Sequence, residues 1–171
     1  MTLQEFINKW NGKASDWDGY YGPQCVDIVQ FWVQNLGIPP LIGDPAYTIW
    51  NNYDPKHFTR IENGLVNSPQ PGDIVIWKPG YNGGYGHIGI AVSAGVFSFT
   101  AFEQNDPINS YCHKQSYSYG LFSNGGIYGW LHPKVLDKIT AEEFRRQVNE
   151  KIETQITDTA FRNWTRELLK K

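Results

Sequence analysis

Charge is scarce in this 171-residue sequence: 19% of the residues are Asp, Glu, Lys or Arg, and the formal net charge is −2. With a pI near 6.1 there is no positive field to draw nucleic acid or an anionic membrane surface. Cysteine is scarcer still. Two residues, Cys25 and Cys112, cannot build a disulfide scaffold. No apolar run approaches the roughly 18 residues that a spanning helix needs, so membrane insertion is not expected. The opening Met1-Thr2-Leu3-Gln4-Glu5 lacks the basic and apolar regions of a signal peptide.

What is abundant is glycine (17), proline (10) and aromatics (15%). So many large rings can offset the entropy of ordering, which argues against disorder. The glycine and proline load argues against a helical bundle. Neither residue occurs beyond position 136, whereas residues 137–171 carry 15 of the 32 charged side chains. This shift predicts a globular domain over 1–136 and a charged helical appendage over 137–171. In the appendage, Thr140 and Glu143 form a capping box flanked by Ile139 and Phe144. Phe144, Val148, Ile152 and Ile156 then step by four, and Thr157-Asp158 offers a second cap. One bent helix or two short ones both fit. The expected role is a linker or docking helix, an oligomerisation helix, or a connection to a further binding domain.

The domain itself opens with a capping box, Thr2 and Glu5, ahead of Leu3, Phe6, Ile7 and Trp10 on one helical face. After the Asp/Gly-rich stretch Ser15–Gln24, a second helix is expected over Cys25–Leu36, with Val26, Val29, Val33 and Leu36 inward and Gly37 as its stop. Some helix is expected around Pro45–Tyr53. Strand signals cover Asp73–Trp77, His87–Ser93, Val96–Asn105 and Ile127–Leu131. Helices first and an antiparallel sheet later read as an α+β fold.

Cys25 stands where a loop becomes a helix, and the positive end of the dipole there favours a thiolate. A thiolate nucleophile needs a base. His87 begins a strand in which alternation puts His87, Gly89 and Ala91 on one face. Those small side chains leave room for the Cys25 helix to pack close. On the following strand Phe99, Ala101, Glu103 and Asn105 share a face, and either Glu103 or Asn105 can orient the imidazole. Cys112, in a polar loop beside His113, is expected to be incidental.

Four segments then carry a resemblance. Tyr21-Gly22-Pro23-Gln24-Cys25-Val26-Asp27, Pro71-Gly72-Asp73-Ile74-Val75-Ile76-Trp77, Gly86-His87-Ile88-Gly89-Ile90-Ala91-Val92 and Phe102-Glu103-Gln104-Asn105 are similar, in order, to the motifs of CHAP domains. These are cysteine, histidine-dependent amidohydrolases/peptidases of papain-like fold, found in phage endolysins and bacterial autolysins. The resemblance spans about residues 1–136. It implies that Cys25 is the nucleophile, His87 the base and Glu103 its orienter, that Asn105 completes the site, and that Gln24 helps hold an oxyanion. The implied substrate is an amide of peptidoglycan, either the N-acetylmuramoyl–L-alanine bond or a peptide bond. Tyr20, Tyr21, Tyr81, Tyr85 and Trp77 are candidates to line its groove.

Asp16, Asp18, Tyr20, Gly22 and Asp27 occupy positions 1, 3, 5, 7 and 12 of a twelve-residue window, the ligand spacing of an EF-hand. Glycine falls at position 4, as Gly19, and position 12 is Asp, so a true EF-hand is not expected. Three carboxylates with the Tyr20 and Gly22 carbonyls still make a hard oxygen set suited to Ca²⁺. Some endolysin CHAP domains, by the same resemblance, hold calcium in this stretch, where it would support the loop before Cys25. An NlpC/P60-type wall peptidase would replace Glu103 by a third-position histidine. A non-catalytic wall-binding or phage structural module would not need the nucleophile. Without a signal peptide, the expected route is synthesis in the host cytoplasm and release to the wall through a holin.

Overall fold

The computed structural model describes residues 1–120 and 126–138, together with positions 142, 145, 146 and 149. The chain divides into two compact units, Met1–Pro133 and Lys134–Lys171. In the second unit, residues 134–138 and the four later positions are helical. The Thr140/Glu143 cap, the apolar stripe from Phe144 and the Thr157-Asp158 cap lie outside the described residues, apart from fragments of the first helix.

The first unit begins with α1 (Leu3–Trp10). The Thr2 hydroxyl accepts from the Glu5 amide at 3.3 Å, and the Thr2 amide donates to the Glu5 carboxylate at 2.7 Å. Each therefore satisfies a backbone group that the helix start leaves open. Helix α2 (Cys25–Asn35) ends as its sequence requires: Gly37 takes φ +72°, and the amide of Ile38 closes back on the Val33 carbonyl. A 3-10 turn at Ala46–Thr48 leads into the short α3 (Ile49–Asn52).

Six strands follow: β1 (Phe58–Glu62), β2 (Ile74–Trp77), β3 (Ile88–Ala94), β4 (Ser98–Glu103), β5 (His113–Ser118) and β6 (Ile127–Pro133). They form one antiparallel sheet in the order β1-β6-β2-β3-β4-β5. The fold is α+β. Strands β1 and β5 carry no strand signal that the sequence reading used. Both are edge strands, and β5 alternates half-buried and exposed polar residues, so burial leaves little apolar pattern on it.

The two faces of the sheet have different tenants. Val75, Trp77, Ala91, Phe99, Ala101, Ile127 and Trp130 make one buried cluster, to which α1 and α2 contribute nothing among the described residues. Phe6 of α1 instead meets Trp32 of α2 edge-on at 5.2 Å and Phe102 of β4 at 6.4 Å. Phe102 pairs with Ile90, so these helices lie against the Ile88/Ile90 side. The expectation that small residues at Gly89 and Ala91 make room for the Cys25 helix is therefore corrected. Ala91 is covered by the rings of that cluster, and Gly89 faces the Glu103 and Ala101 side chains. The buried face of α2 also differs from the expected one. Ile28, Val29, Trp32 and Val33 are sealed, while Val26 and Leu36 are only half-buried. Trp32 swings the face round, because its indole N–H donates to the Gly72 carbonyl at 3.0 Å.

Candidate active site

Cys25 is the first residue of α2 and is half-buried. The helix starts there because the Asp27 carboxylate accepts the Gln24 amide at 2.6 Å and the Trp17 amide at 3.1 Å. This side chain ties the start of the helix to the preceding loop. Free amides of the first turn surround the sulfur with positive potential.

His87 immediately precedes β3 and is fully buried. Gly86 turns the chain into it at φ +67°, where a Cβ would meet the Cβ of Tyr47 at 2.8 Å and the Trp77 carbonyl at 2.9 Å. Only glycine fits that turn. The imidazole is walled by Trp77 (5.0 Å between centroids), Tyr81 (5.9 Å) and Tyr117 (6.5 Å). Its Nε2 lies 3.1 Å from Oε2 of Glu103, which is also fully buried, at the end of β4. The Cys25 thiol is near enough to influence the same ring, and neither ring nitrogen completes a hydrogen bond, so the 3.1 Å approach to Glu103 is an ion-pair contact. Gly89 permits this arrangement: a Cβ there would press on the Glu103 Cβ at 3.1 Å. Burial opposes charge on His87, but the thiol and the Glu103 carboxylate outweigh it and raise the pKa to about 9. The ring is thus suited to be an imidazolium at neutral pH.

The other expected residues are placed as follows. The Gln24 carboxamide donates to the Tyr21 carbonyl at 3.2 Å, using one of its two N–H groups. Asn105, at φ +66°, accepts the Asn109 amide at 2.7 Å and so shapes the turn after β4. Tyr20, Tyr21 and Tyr85 are exposed and Tyr81 is half-buried, as a groove lining needs. Trp77 is corrected: only 2% of its surface is exposed, and it forms the floor beneath His87.

Carboxylate oxygens of Asp16, Asp18 and Asp27 lie within 4.8 Å of one another. Asp16 accepts the Gly19 amide and Asp18 the Tyr20 amide, which curls the loop. Burial, and then the charges of Asp18 and Asp16, push the Asp27 carboxyl up despite its bonds to the Gln24 and Trp17 amides. Among the described residues no lysine or arginine pairs with the three. Converging carboxylates of this kind, hard oxygen donors without a compensating side chain, fit a divalent cation such as Ca²⁺. Tyr20 and Gly22 lie in the same loop, where their part would be played by backbone carbonyls.

Two residues escaped the sequence reading. Gln104 is fully buried, and its amide donates to the carbonyls of Ser15 (2.8 Å) and Gln24 (2.9 Å). It thereby ties β4 to the residue before the nucleophile. Alternation places it opposite Glu103, and that parity was the available signal. The second is His113, whose Nε2 lies 3.0 Å from the other oxygen of Glu103. Cys112 is sealed, with its sulfur 3.2 Å from the Gln104 Oε1, and burial pushes its thiol up to about 11. It has no role as a nucleophile at neutral pH.

Comparison with known proteins identifies the family and the fold. A CHAP domain model matches residues 14–105. The chain is 36% identical over 97 residues to a probable autolysin of Staphylococcus aureus, covering 55% of this chain and 20% of that protein. It is 28% identical over 108 residues to the endolysin PlyTW of Staphylococcus phage Twort, covering 60% and 23%. It therefore spans about a fifth of the length of these curated relatives. Among solved structures, the endolysin LysIME-EF1 superposes with a TM-score of 0.62 at 26% identity, over 77% of this chain and 62% of that one. PlyC shares the fold, with a TM-score of 0.58 at 22% identity over 76% and 34%.

Proposed function

Because this chain belongs to the CHAP domain family, we propose that it is a peptidoglycan hydrolase that cleaves an amide bond through Cys25. The observation that carries the reading is the grouping of a half-buried Cys25 at a helix start with the fully buried His87 and Glu103, whose Nε2 and Oε2 lie 3.1 Å apart. A binding module has no use for a buried acid–base pair aimed at a half-exposed thiol.

The reaction follows from the geometry. The Cys25 thiolate attacks the carbonyl carbon of the scissile amide. Charge builds on the carbonyl oxygen, and the Cys25 backbone N–H with the second N–H of Gln24 is the donor pair that would receive it. His87 gives its proton to the leaving amine as the C–N bond breaks. A water then attacks the thioester and gives a proton to His87, releasing a carboxylic acid and the thiolate. Glu103 keeps the imidazolium oriented throughout. The substrate is an N-acetylmuramoyl–L-alanine amide or a stem or cross-bridge peptide bond. The exposed Tyr20, Tyr21 and Tyr85 would offer it stacking surface. Asp16, Asp18 and Asp27, with the Tyr20 and Gly22 carbonyls, would hold Ca²⁺ structurally. Asp27 also caps α2, so fixing the loop fixes the start of the nucleophile helix.

The likeness to a phage endolysin supports a cytoplasmic origin and delivery to the wall through a holin. The described residues contain no helix long and apolar enough to cross a membrane. The test is clearance of purified Gram-positive walls. The wild-type protein is expected to clear them and Cys25→Ala to leave them turbid; clearance by Cys25→Ala would reject the cysteine mechanism.

A further inference from the structure

A second histidine shares the carboxylate that serves the base. His113 opens β5 and pairs with Glu103 across the β4–β5 ladder. Its Nε2 is 3.0 Å from Oε1 of Glu103, while Oε2 is 3.1 Å from Nε2 of His87. Glu103 is fully buried, whereas the His113 side chain is 32% exposed. The carboxylate therefore bridges two imidazoles, one against the thiol and one open to water.

The proton positions on His113 can be argued from its partners. Nδ1 lies 2.7 Å from the Tyr111 carbonyl, which can only accept, so Nδ1 carries a hydrogen. Nε2 faces the Glu103 carboxylate and also Oε1 of Gln115 at 3.2 Å. A neutral ring would turn its lone pair toward both oxygens; an imidazolium donates to Gln115 and sets its positive charge 3.0 Å from a carboxylate oxygen that completes no hydrogen bond.

The surroundings favour the charged form. Glu103 and Asp106 supply negative charge from β4 and the turn after it, and Lys114 is the basic neighbour along β5. Cys112 turns inward to Gln104. Helix α1 presents the uncharged Gln4, Ile7 and Asn8, followed by Asn11, across a cavity of about 670 Å³ that His113 and Lys114 also line. Burial works against the cation, but the Tyr111 carbonyl, Gln115, Glu103 and Asp106 together raise its pKa.

We propose that His113 is a positioning residue for the base: as a cation it holds Oε1 of Glu103 and thereby keeps Oε2 aimed at His87. This rests on the reading of His87 as the base. The sign of the pH effect follows. The His113–Glu103 ion pair is complete below about pH 6.5 and is lost as pH rises through the raised pKa of His113. A cation on the far side of Glu103 also draws on the negative charge that sustains His87 as an imidazolium.

The test compares wild type, His113→Gln and His113→Asn, using the ring Cε1–H resonances of the histidines against pH and the kinetics of wall lysis. In wild type, the His87 resonance should show a second inflection at the pH where His113 itself titrates. In His113→Gln, whose Nε2 replaces the donor without the charge, that inflection should vanish. The His87 pKa should then move up, and kcat should fall, but less than in His113→Asn. In His113→Asn, too short to reach Glu103, kcat should fall roughly tenfold with KM unchanged. A single His87 inflection in wild type, at an unchanged pH in His113→Gln, overturns the proposal. So does an unchanged kcat in His113→Asn. Should wild type fail to lyse walls, the peptidoglycan reading falls, and the resonance titration still decides the role of His113. Should His113→Gln not fold, the wild-type inflection and the Asn variant decide it.

Discussion

At the scale of single residues, chemistry is assigned by depth. Both sulfurs are free thiols, yet only Cys25 can meet a substrate, since Cys112 is buried and held by Gln104. His87 shows the opposing forces most clearly. Burial alone would strip its proton, and the thiol and Glu103 restore it. A raised folded pKa means that the stability from these contacts is full below the unfolded value, about 6.5, and is lost as pH rises through about 9. The lytic rate should lose its imidazolium over the same alkaline range. Glu103→Gln removes one of the two groups holding that charge, so the alkaline fall in rate should move to lower pH. The rate at neutral pH should drop about a hundredfold or more. A pH–rate profile of wall clearance checks both. An unshifted alkaline limb would show that Glu103 does not sustain the base.

At the scale of elements, the site is a meeting of one helix start and two strand ends. Much of this was legible in the sequence, for physical reasons. A thiol before the Val26–Leu36 apolar run, and Glu103 in phase with Ala101 on a strongly alternating strand, are patterns that burial enforces. His113 was not legible, because β5 is an edge strand whose polar alternation carries no core signal. Trp77 misled for the opposite reason: an aromatic beside a site reads equally as wall or as floor. The loop from Asp16 to Asp27 joins these elements to the proposed cation. Calcium at a hundredfold excess over its Kd should add about 3 kcal/mol and raise Tm by about 5–10 °C, with EDTA reversing the gain. Because the folded protein holds the Asp27 proton more tightly, protons compete with the ion. The gain should therefore shrink as pH falls toward the carboxylate range. A calorimetric Tm indifferent to both Ca²⁺ and EDTA at pH 7 would remove the ion site.

At the scale of the whole molecule, every residue assigned to the reaction and to the cation lies in the Met1–Pro133 unit. The charge-rich segment after it holds no glycine and three aromatics, Phe144, Phe161 and Trp164. We predict that deleting residues 134–171 leaves the clearance rate of isolated walls within about twofold, because no proposed ligand or reagent is lost. Any oligomer seen by light scattering should disappear with the deletion. A strict monomer both with and without the segment would rule out an oligomerisation role, and a large loss of clearance would place part of the site or its targeting there.

The central claim, that Cys25 breaks amide bonds of peptidoglycan, is tested most directly by reading the new chain ends. Purified walls digested with wild type or Cys25→Ser are analysed by mass spectrometry, with free amines and reducing sugar ends counted in parallel. Wild type should release one class of new amine, at L-alanine or at a stem or cross-bridge residue, with no new reducing ends. Cys25→Ser should release neither. New reducing ends, or the same amines from the Ser variant, would contradict the account.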